Sequence, residues 1–215
     1  YSIGLPKYKK YSYNVRLKDG IYTFKVNSMP KKINEYTVVI DAGHGGSEKG
    51  ALGCLGDEEK DINLKIAYEL QSKLAQMGIN TIMTREFDGN IDLYDRVRIA
   101  ENNNAHIFVS IHLNSIPDIC MDIHKNRGTS TYYYNDNSKK LAEYVENSVV
   151  SAIGTKSEGT KSASFAVLRS PEYAGVLVEV AYMTNPLDSV IYSSEDFAKK
   201  AADGIAKGLL KYMKR

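Results

Sequence analysis

From residue 36 onward, short apolar runs alternate along the chain with longer segments whose apolar residues recur at helical spacing. The short runs are residues 38–42, 79–84, 107–111, 130–134 and 176–180, and one of the helical faces carries Ile62, Ile66, Leu70, Leu74 and Met77. Continuous apolar runs are typical of strands covered on both faces. The alternation predicts an α/β fold: a mostly parallel twisted sheet of about six strands with helices on both faces, the last helix beginning near Ser194.

The sequence changes character near residue 36. Residues 1–35 are rich in tyrosine and lysine, and the stretch YSYNVRLKDGIYTFKV predicts a hairpin that turns at Asp19–Gly20 and leads into a linker. We therefore expect an N-terminal arm over residues 1–35 and one α/β domain over residues 36–215, a length that suits a single sizeable core.

Composition excludes several classes of protein. The chain is 43% hydrophobic and 25% charged, which is ordinary for a globular protein and excludes wholesale disorder. A formal net charge of +2 offers no basic field for nucleic acid. No apolar run approaches the roughly 18 residues of a membrane span, so neither a signal segment nor a membrane anchor is visible in the numbered chain.

The stretch DAGHGGSEKGALG places a histidine, His44, among glycines directly after the first apolar run. A dinucleotide-binding loop counted from Gly43 would need glycine where Glu48 stands. A P-loop counted from Gly45 would need lysine and a hydroxyl residue where Ala51 and Leu52 follow. Both phosphate-binding templates fail, which favours a metal site.

Three candidate metal ligands are expected at one edge of the sheet, and a fourth residue is the candidate base. His44 follows the first strand, His112 ends the strand HIFVSIH, and Glu59 starts the next helix, so all three would lie at the carboxyl edge and could hold a catalytic zinc. Glu59 alone would be an ordinary first-turn carboxylate. Glu179, an acid within the apolar run GVLVEVAY, is the candidate base, and its alternative interpretation is an edge-strand carboxylate facing water.

The motifs VVIDAGHGG, EEKDINL, FVSIHLNS and VLVEVAYMTNP, in this order, resemble the zinc-dependent N-acetylmuramoyl-L-alanine amidases of bacterial cell-wall metabolism. The resemblance runs from about residue 36 to the C-terminus, which would make this part the catalytic domain. It implies Zn²⁺ held by His44, Glu59 and His112, with Glu179 as the catalytic glutamate. The implied reaction is hydrolysis, by zinc-activated water, of the amide between N-acetylmuramic acid and L-alanine of the stem peptide in peptidoglycan.

The resemblance also sets narrower expectations. Glu48 stands where the family loop usually has aspartate, only a short stretch follows the His112 motif in place of an autoinhibitory insert, and no wall-binding repeats are present. The chain is therefore most similar to the germination-specific amidases of spore-forming bacteria, and we expect action outside the cytoplasm at the wall or spore cortex. Without wall-binding repeats, a protein partner for localisation or activation is expected.

Two other functions stay open on the sequence. One is a cell-wall binding module that keeps the fold without catalysis, against which the intact set of four residues argues. The other is a zinc peptidase that cuts within the stem peptide, which would use the same metal chemistry and requires product analysis to separate.

Other conspicuous residues receive structural interpretations. Cys120 and His124 have a ligand-like spacing without a second pair, so we expect a surface loop. Cys54 and Cys120 permit one disulfide, and the sequence does not show whether they are reduced. His106 would lie at the opposite end of its strand from His112. Arg85 and Arg96 stay undecided between structural and substrate-positioning roles.

Overall fold

The computed structural model describes residues 11–116, 120 and 126–215. Its first element is a hairpin in which β1 (Tyr11–Lys18) pairs antiparallel with β2 (Ile21–Ser28) around a turn at Asp19 and Gly20, both with positive φ. These two strands form a sheet of their own, apart from the main sheet.

The main sheet has six strands in the order β4, β3, β5, β8, β6, β7. Its strands are β3 (Thr37–Ala42), β4 (Asn80–Met83), β5 (Ile107–Asn114), β6 (Thr129–Tyr133), β7 (Ser157–Ser162) and β8 (Ala174–Tyr182). Strands β3, β4, β5 and β8 are mutually parallel, whereas β6 pairs antiparallel with β8 and β7 runs parallel to β6. The predicted α/β fold with a mostly parallel sheet is confirmed.

Helices cover both faces of the sheet, as predicted. They are α1 (Glu59–Gln76), α2 (Leu93–Asn102), α3 (Asp136–Ile153), α4 (Pro186–Tyr192) and α5 (Phe197–Met213). The larger core lies between the sheet and α1, α3 and α5, and the smaller one includes Ala100 of α2 with Phe108 and Tyr173. Among the described residues, no helix combines the length and apolar character needed to cross a bilayer.

The helix α5 lies very close to α3. A Cβ added at Gly208 would lie 2.6 Å from the Cα of Val145, and one at Gly204 would lie 2.7 Å from the Cα of Val149. Such contacts are shorter than any normal carbon–carbon approach, so these two glycines allow the helix backbones to meet. The helix begins at Phe197, three residues later than the predicted start at Ser194.

Candidate metal centre

Three side chains converge at the carboxyl edge of the parallel strands. His44 follows β3, Glu59 is the first residue of α1, and His112 lies near the end of β5. One donor atom from each lies within 4.8 Å of the others. The Nε2 atom of His44 is 3.2 Å from Oε2 of Glu59, and Nδ1 of His112 is 2.9 Å from Oε1 of the same carboxylate. The structure thus brings together the three residues that the sequence suggested as ligands.

Glu59 is held in place by hydrogen bonds from three sides. Its Oε2 accepts from the backbone N–H of Ala51 at 2.9 Å, and its Oε1 accepts from the N–H of Leu113 at 3.1 Å and from the amide of Asn63 at 3.2 Å. Burial alone would raise the pKa of this carboxyl group, but His112 and His44 outweigh burial and lower it. Glu59 is therefore ionised at neutral pH, the form that a metal ion requires.

The glycines around His44 make room for the ligands. A Cβ at Gly43 would overlap the imidazole ring of His112, and a Cβ at Gly50 would lie 2.5 Å from Oε2 of Glu59 and 2.6 Å from Cδ2 of His44. His44 itself has a φ of 60°, which is uncommon for a residue with a side chain. The glycine-rich loop therefore lets the backbone close around the donor atoms.

Glu179 lies beside this cluster on β8, where it pairs in register with His112 of β5. The strand is interior to the sheet, so the alternative interpretation of an edge-strand carboxylate is wrong. The Oε2 atom is buried and has no hydrogen-bond partner among the described residues. Burial, opposed in part by the charge of His112, raises the pKa of Glu179 to about 7.

The donor set fits a catalytic zinc ion. Zinc bonds of about 2.0–2.2 Å in a tetrahedral arrangement place ligand atoms about 3.3–3.6 Å apart. The donor atoms of His44, Glu59 and His112 already lie within 4.8 Å of one another, so small side-chain movements suffice to bind the ion. A cavity of about 380 Å³ opens over the cluster, and its lining includes both histidines, Glu59, Asn114 and Glu179. A larger cavity of about 780 Å³ between residues 28–36 and 212–215 holds none of the predicted site residues.

Two arginines fix the backbone of the His44 loop. Arg85 donates to the carbonyl oxygens of Ala42 (2.9 Å) and Gly43 (3.1 Å). Arg96 donates to those of Ala42 (2.8 Å) and His44 (2.9 Å). Both side chains are buried, at 2% and 3% exposure. Arg85 also donates to the carbonyl of Lys60 on α1, and Arg96 pairs with Asp41 of β3. These contacts join the loop to neighbouring elements, which gives both side chains a positioning role.

The remaining candidates lie apart from the cluster or support it. His106 accepts a hydrogen bond from the N–H of Thr37 at the amino end of β5, the opposite end from His112, as expected. Cys54 and Cys120 form a disulfide, which settles the question the sequence left open. His124 lies outside the described residues. Sequence reasoning missed Asn63, whose amide also donates to the carbonyl of Gly43; its position four residues after Glu59 on α1 was the available signal.

Comparisons with known proteins point to a family of amidases. A family model for N-acetylmuramoyl-L-alanine amidases matches residues 38–211. The uncharacterised protein YqiI of Bacillus subtilis is 38% identical over 82% of this chain and 84% of its own length. The amidase LytC of the same species is 33% identical over 90% of this chain, which spans 38% of LytC. The solved structure of the amidase AmiC2 of Nostoc punctiforme has a TM-score of 0.77 at 41% identity, covering 84% of this chain and 98% of that one.

Similarity to germination-specific enzymes is more distant. The germination-specific amidase of Bacillus subtilis is 28% identical over 81% of this chain and 78% of its own length, below the identity to YqiI and LytC. The amidase CwlD of Clostridioides difficile, solved in complex with the lipoprotein GerS, has a TM-score of 0.75 at 29% identity, covering 83% of this chain and 98% of that one. These comparisons support the amidase family without singling out its germination-specific members.

Proposed function

This chain belongs to the N-acetylmuramoyl-L-alanine amidase family, and from that premise we propose that it is a zinc enzyme whose ion is held by His44, Glu59 and His112. The substrate is peptidoglycan, and the bond cleaved joins N-acetylmuramic acid to L-alanine of the stem peptide. The observation that carries the proposal is the convergence of two imidazoles and an ionised carboxylate beside Glu179, whose buried Oε2 has no hydrogen-bond partner in the part of the chain that the structure describes.

Zinc bound by these residues would polarise the amide carbonyl and lower the pKa of the attacking water. Glu179 takes one proton from that water while the water oxygen bonds to the carbonyl carbon. Glu179 then delivers the proton to the alanine nitrogen as the carbon–nitrogen bond breaks. In the metal-free protein, burial raises the pKa of Glu179 to about 7, so the group holds and releases a proton more readily near neutral pH than an ordinary glutamate. The products are the lactyl carboxylate of muramic acid and a peptide with a free L-alanine amine.

The experiment measures zinc per chain and hydrolysis of a soluble muramoyl peptide in matched variants. We expect Glu179→Gln to keep one zinc and lose turnover, and His44→Ala to lose zinc as well. The control Glu143→Gln, at a partly exposed residue of α3, should keep both. Full activity of Glu179→Gln would refute its role.

Product analysis tests the two other functions. A new alanine amine together with an intact stem peptide identifies an amidase, whereas a shortened peptide identifies a peptidase. Wall binding without any product would favour a binding module.

We also propose action outside the cytoplasm, where peptidoglycan lies, and a role in spore cortex hydrolysis. The spore role is supported by the 28% identity to a germination-specific amidase. Comparing hydrolysis of purified spore cortex with that of vegetative walls tests it, and equal rates on both would remove the support for a specialised role.

A protein partner for localisation or activation is a further proposal. It is supported by the solved complex of CwlD with a lipoprotein. Activity of the purified chain equal to that in extracts of its own cells would contradict a need for an activating partner.

A further inference from the structure

One face of the N-terminal hairpin carries apolar residues in three successive cross-strand pairs. These pairs are Tyr13 with Val26, Val15 with Phe24, and Leu17 with Tyr22. Residues paired across an antiparallel ladder and separated by two along a strand share a face, so these six side chains form one patch, which we call the apolar hairpin face. Their exposures run from 38% for Val26 to 64% for Tyr22. Contiguous exposed apolar surface of this kind marks an interaction site.

The opposite face of the hairpin is directed towards the α/β domain. Lys25 lies on that face, and its ammonium group is 2.6 Å from the buried carboxylate of Glu172. Since neighbouring residues on a strand point to opposite sides, this contact turns Phe24 and Val26 away from the domain. The apolar hairpin face is therefore accessible while the domain is folded.

The charge of the arm limits what can cover this face. Residues 1–34 contain eight of the chain's 28 lysines and arginines and only one, Asp19, of its 26 acidic residues. The rest of the chain is consequently acidic overall. A second copy of the hairpin would bring two strongly basic segments together, which is unfavourable. A partner that complements this hairpin would instead carry negative charge, to match the basic arm, and apolar surface, to cover the apolar hairpin face.

We propose that the apolar hairpin face docks on an anionic lipid bilayer. Tyrosine side chains are enriched where membrane meets water, and phenylalanine and leucine face the lipid in interfacial segments. Basic residues near such a surface bind anionic headgroups, each strengthening binding about fivefold. Leu17 and Tyr22, the pair nearest the turn on this face, are 59% and 64% exposed, so they form the leading tip of the inserted surface.

This docking would orient the candidate metal centre. Glu172 precedes β8, so its contact with Lys25 places the hairpin at the amino edge of the parallel strands. His112 and Glu179 lie towards the carboxyl edge of the same strands. A chain held to the bilayer through its hairpin would present the metal centre away from the lipid. In this orientation the proposed hydrolysis would act on the wall side of the membrane. The docking itself does not depend on that function.

The test is co-sedimentation of the 215-residue chain with lipid vesicles. One set contains equal parts phosphatidylglycerol and phosphatidylcholine, and the other phosphatidylcholine alone. We expect at least tenfold tighter binding to the anionic vesicles. Binding should weaken steeply as salt rises towards 1 M, where the screening length shrinks to about 3 Å. Binding that is equal on both vesicles, or absent from both, would overturn the proposal.

Matched variants assign the effect to the hairpin. Leu17→Ser and Phe24→Ser should each weaken vesicle binding about tenfold, and Lys18→Ser about fivefold. The control Val190→Ser removes an apolar side chain that is 73% exposed on α4 and should change nothing. All four should hydrolyse a soluble muramoyl peptide at the wild-type rate, which separates failure of docking from failure of the proposed hydrolysis. Unchanged vesicle binding of the hairpin variants, or dimerisation that they abolish, would refute the lipid assignment.

Discussion

Replacing Arg96 by methionine tests what holds the His44 loop in place. The Nη1 atom of Arg96 lies 2.7 Å from Oδ1 of Asp41, and the two side chains are 3% and 1% exposed. Methionine fills much of the same volume but leaves a buried carboxylate without its cation and removes the Arg96 donor from two loop carbonyls, of which that of Ala42 keeps Arg85 as a donor. Breaking a buried pair in this way costs about 3–5 kcal/mol of unfolding free energy. For a chain of this size, that corresponds to a fall in melting temperature of about 6 to 20 °C.

The matched control is Arg98→Met on the same helix. Arg98 lies 2.5 Å from Asp95, but their side chains are 67% and 53% exposed, and exposed pairs contribute about 0–1 kcal/mol. Thermal and urea unfolding of the three proteins, monitored by circular dichroism, gives the comparison. A loss in Arg96→Met no larger than that in Arg98→Met would refute the argument that the buried pair holds the loop.

The pH dependence identifies the cause of the loss. Burial alone would raise the pKa of Asp41, but Arg96 and the hydroxyl groups of Ser110 and Thr84 outweigh it and lower the pKa. A depressed pKa contributes stability above the ordinary value near 4, and this contribution is lost as pH falls through the folded-state value. In Arg96→Met the carboxyl group can take up a proton instead. The difference from wild type should therefore shrink towards acid pH, and Asp41→Asn in the variant should restore part of the stability at pH 7.

Three further changes test other parts of the structure. Gly50→Ala should lower zinc affinity at least tenfold, measured by competition with a chelator, because its methyl group would collide with Glu59. Gly208→Ala should lower the unfolding free energy by about 1–3 kcal/mol in urea, because it overpacks the contact between α5 and α3. Serine at both Cys54 and Cys120 should cost up to about 4 kcal/mol in the same assay, since the disulfide closes a loop of 66 residues.

The sequence predicted the strands whose residues are buried on both faces, because burial leaves a continuous apolar run. It did not predict β7, since SEGTKS contains no apolar residue and forms an edge strand. It also did not predict α4, which is only seven residues long and too short to show helical periodicity. The antiparallel direction of β6 was equally invisible, because strand direction depends on the path of the connections and leaves no mark on composition.

The candidate ligands could be placed from sequence because parallel strands bring their carboxyl ends to one edge. That rule needed only the positions of His44, Glu59 and His112 relative to their elements. The roles of Arg85 and Arg96 could not be found in this way, since most of their partners are backbone carbonyls, which every residue carries, and Asp41, the carboxylate partner of Arg96, is 55 residues away in the sequence. Recognising them required the loop conformation itself.

The position of Glu179 implies a cost in stability that can be measured. Its buried Oε2 has no hydrogen-bond partner among the described residues, and its pKa is raised to about 7 from an ordinary value near 4.5. A raised carboxyl pKa gives stability that is fully present below the unfolded value and is lost as pH rises through the folded value.

With metal removed, Glu179→Gln should therefore match wild type near pH 4. Above pH 7 it should be more stable by about 3 kcal/mol. The control Glu69→Gln, on the exposed side of α1, should follow wild type at every pH. If Glu179→Gln gains nothing at pH 8, the carboxylate is satisfied in the folded protein. The argument that this strand sacrifices stability to keep a proton-transfer group beside the metal centre would then fail.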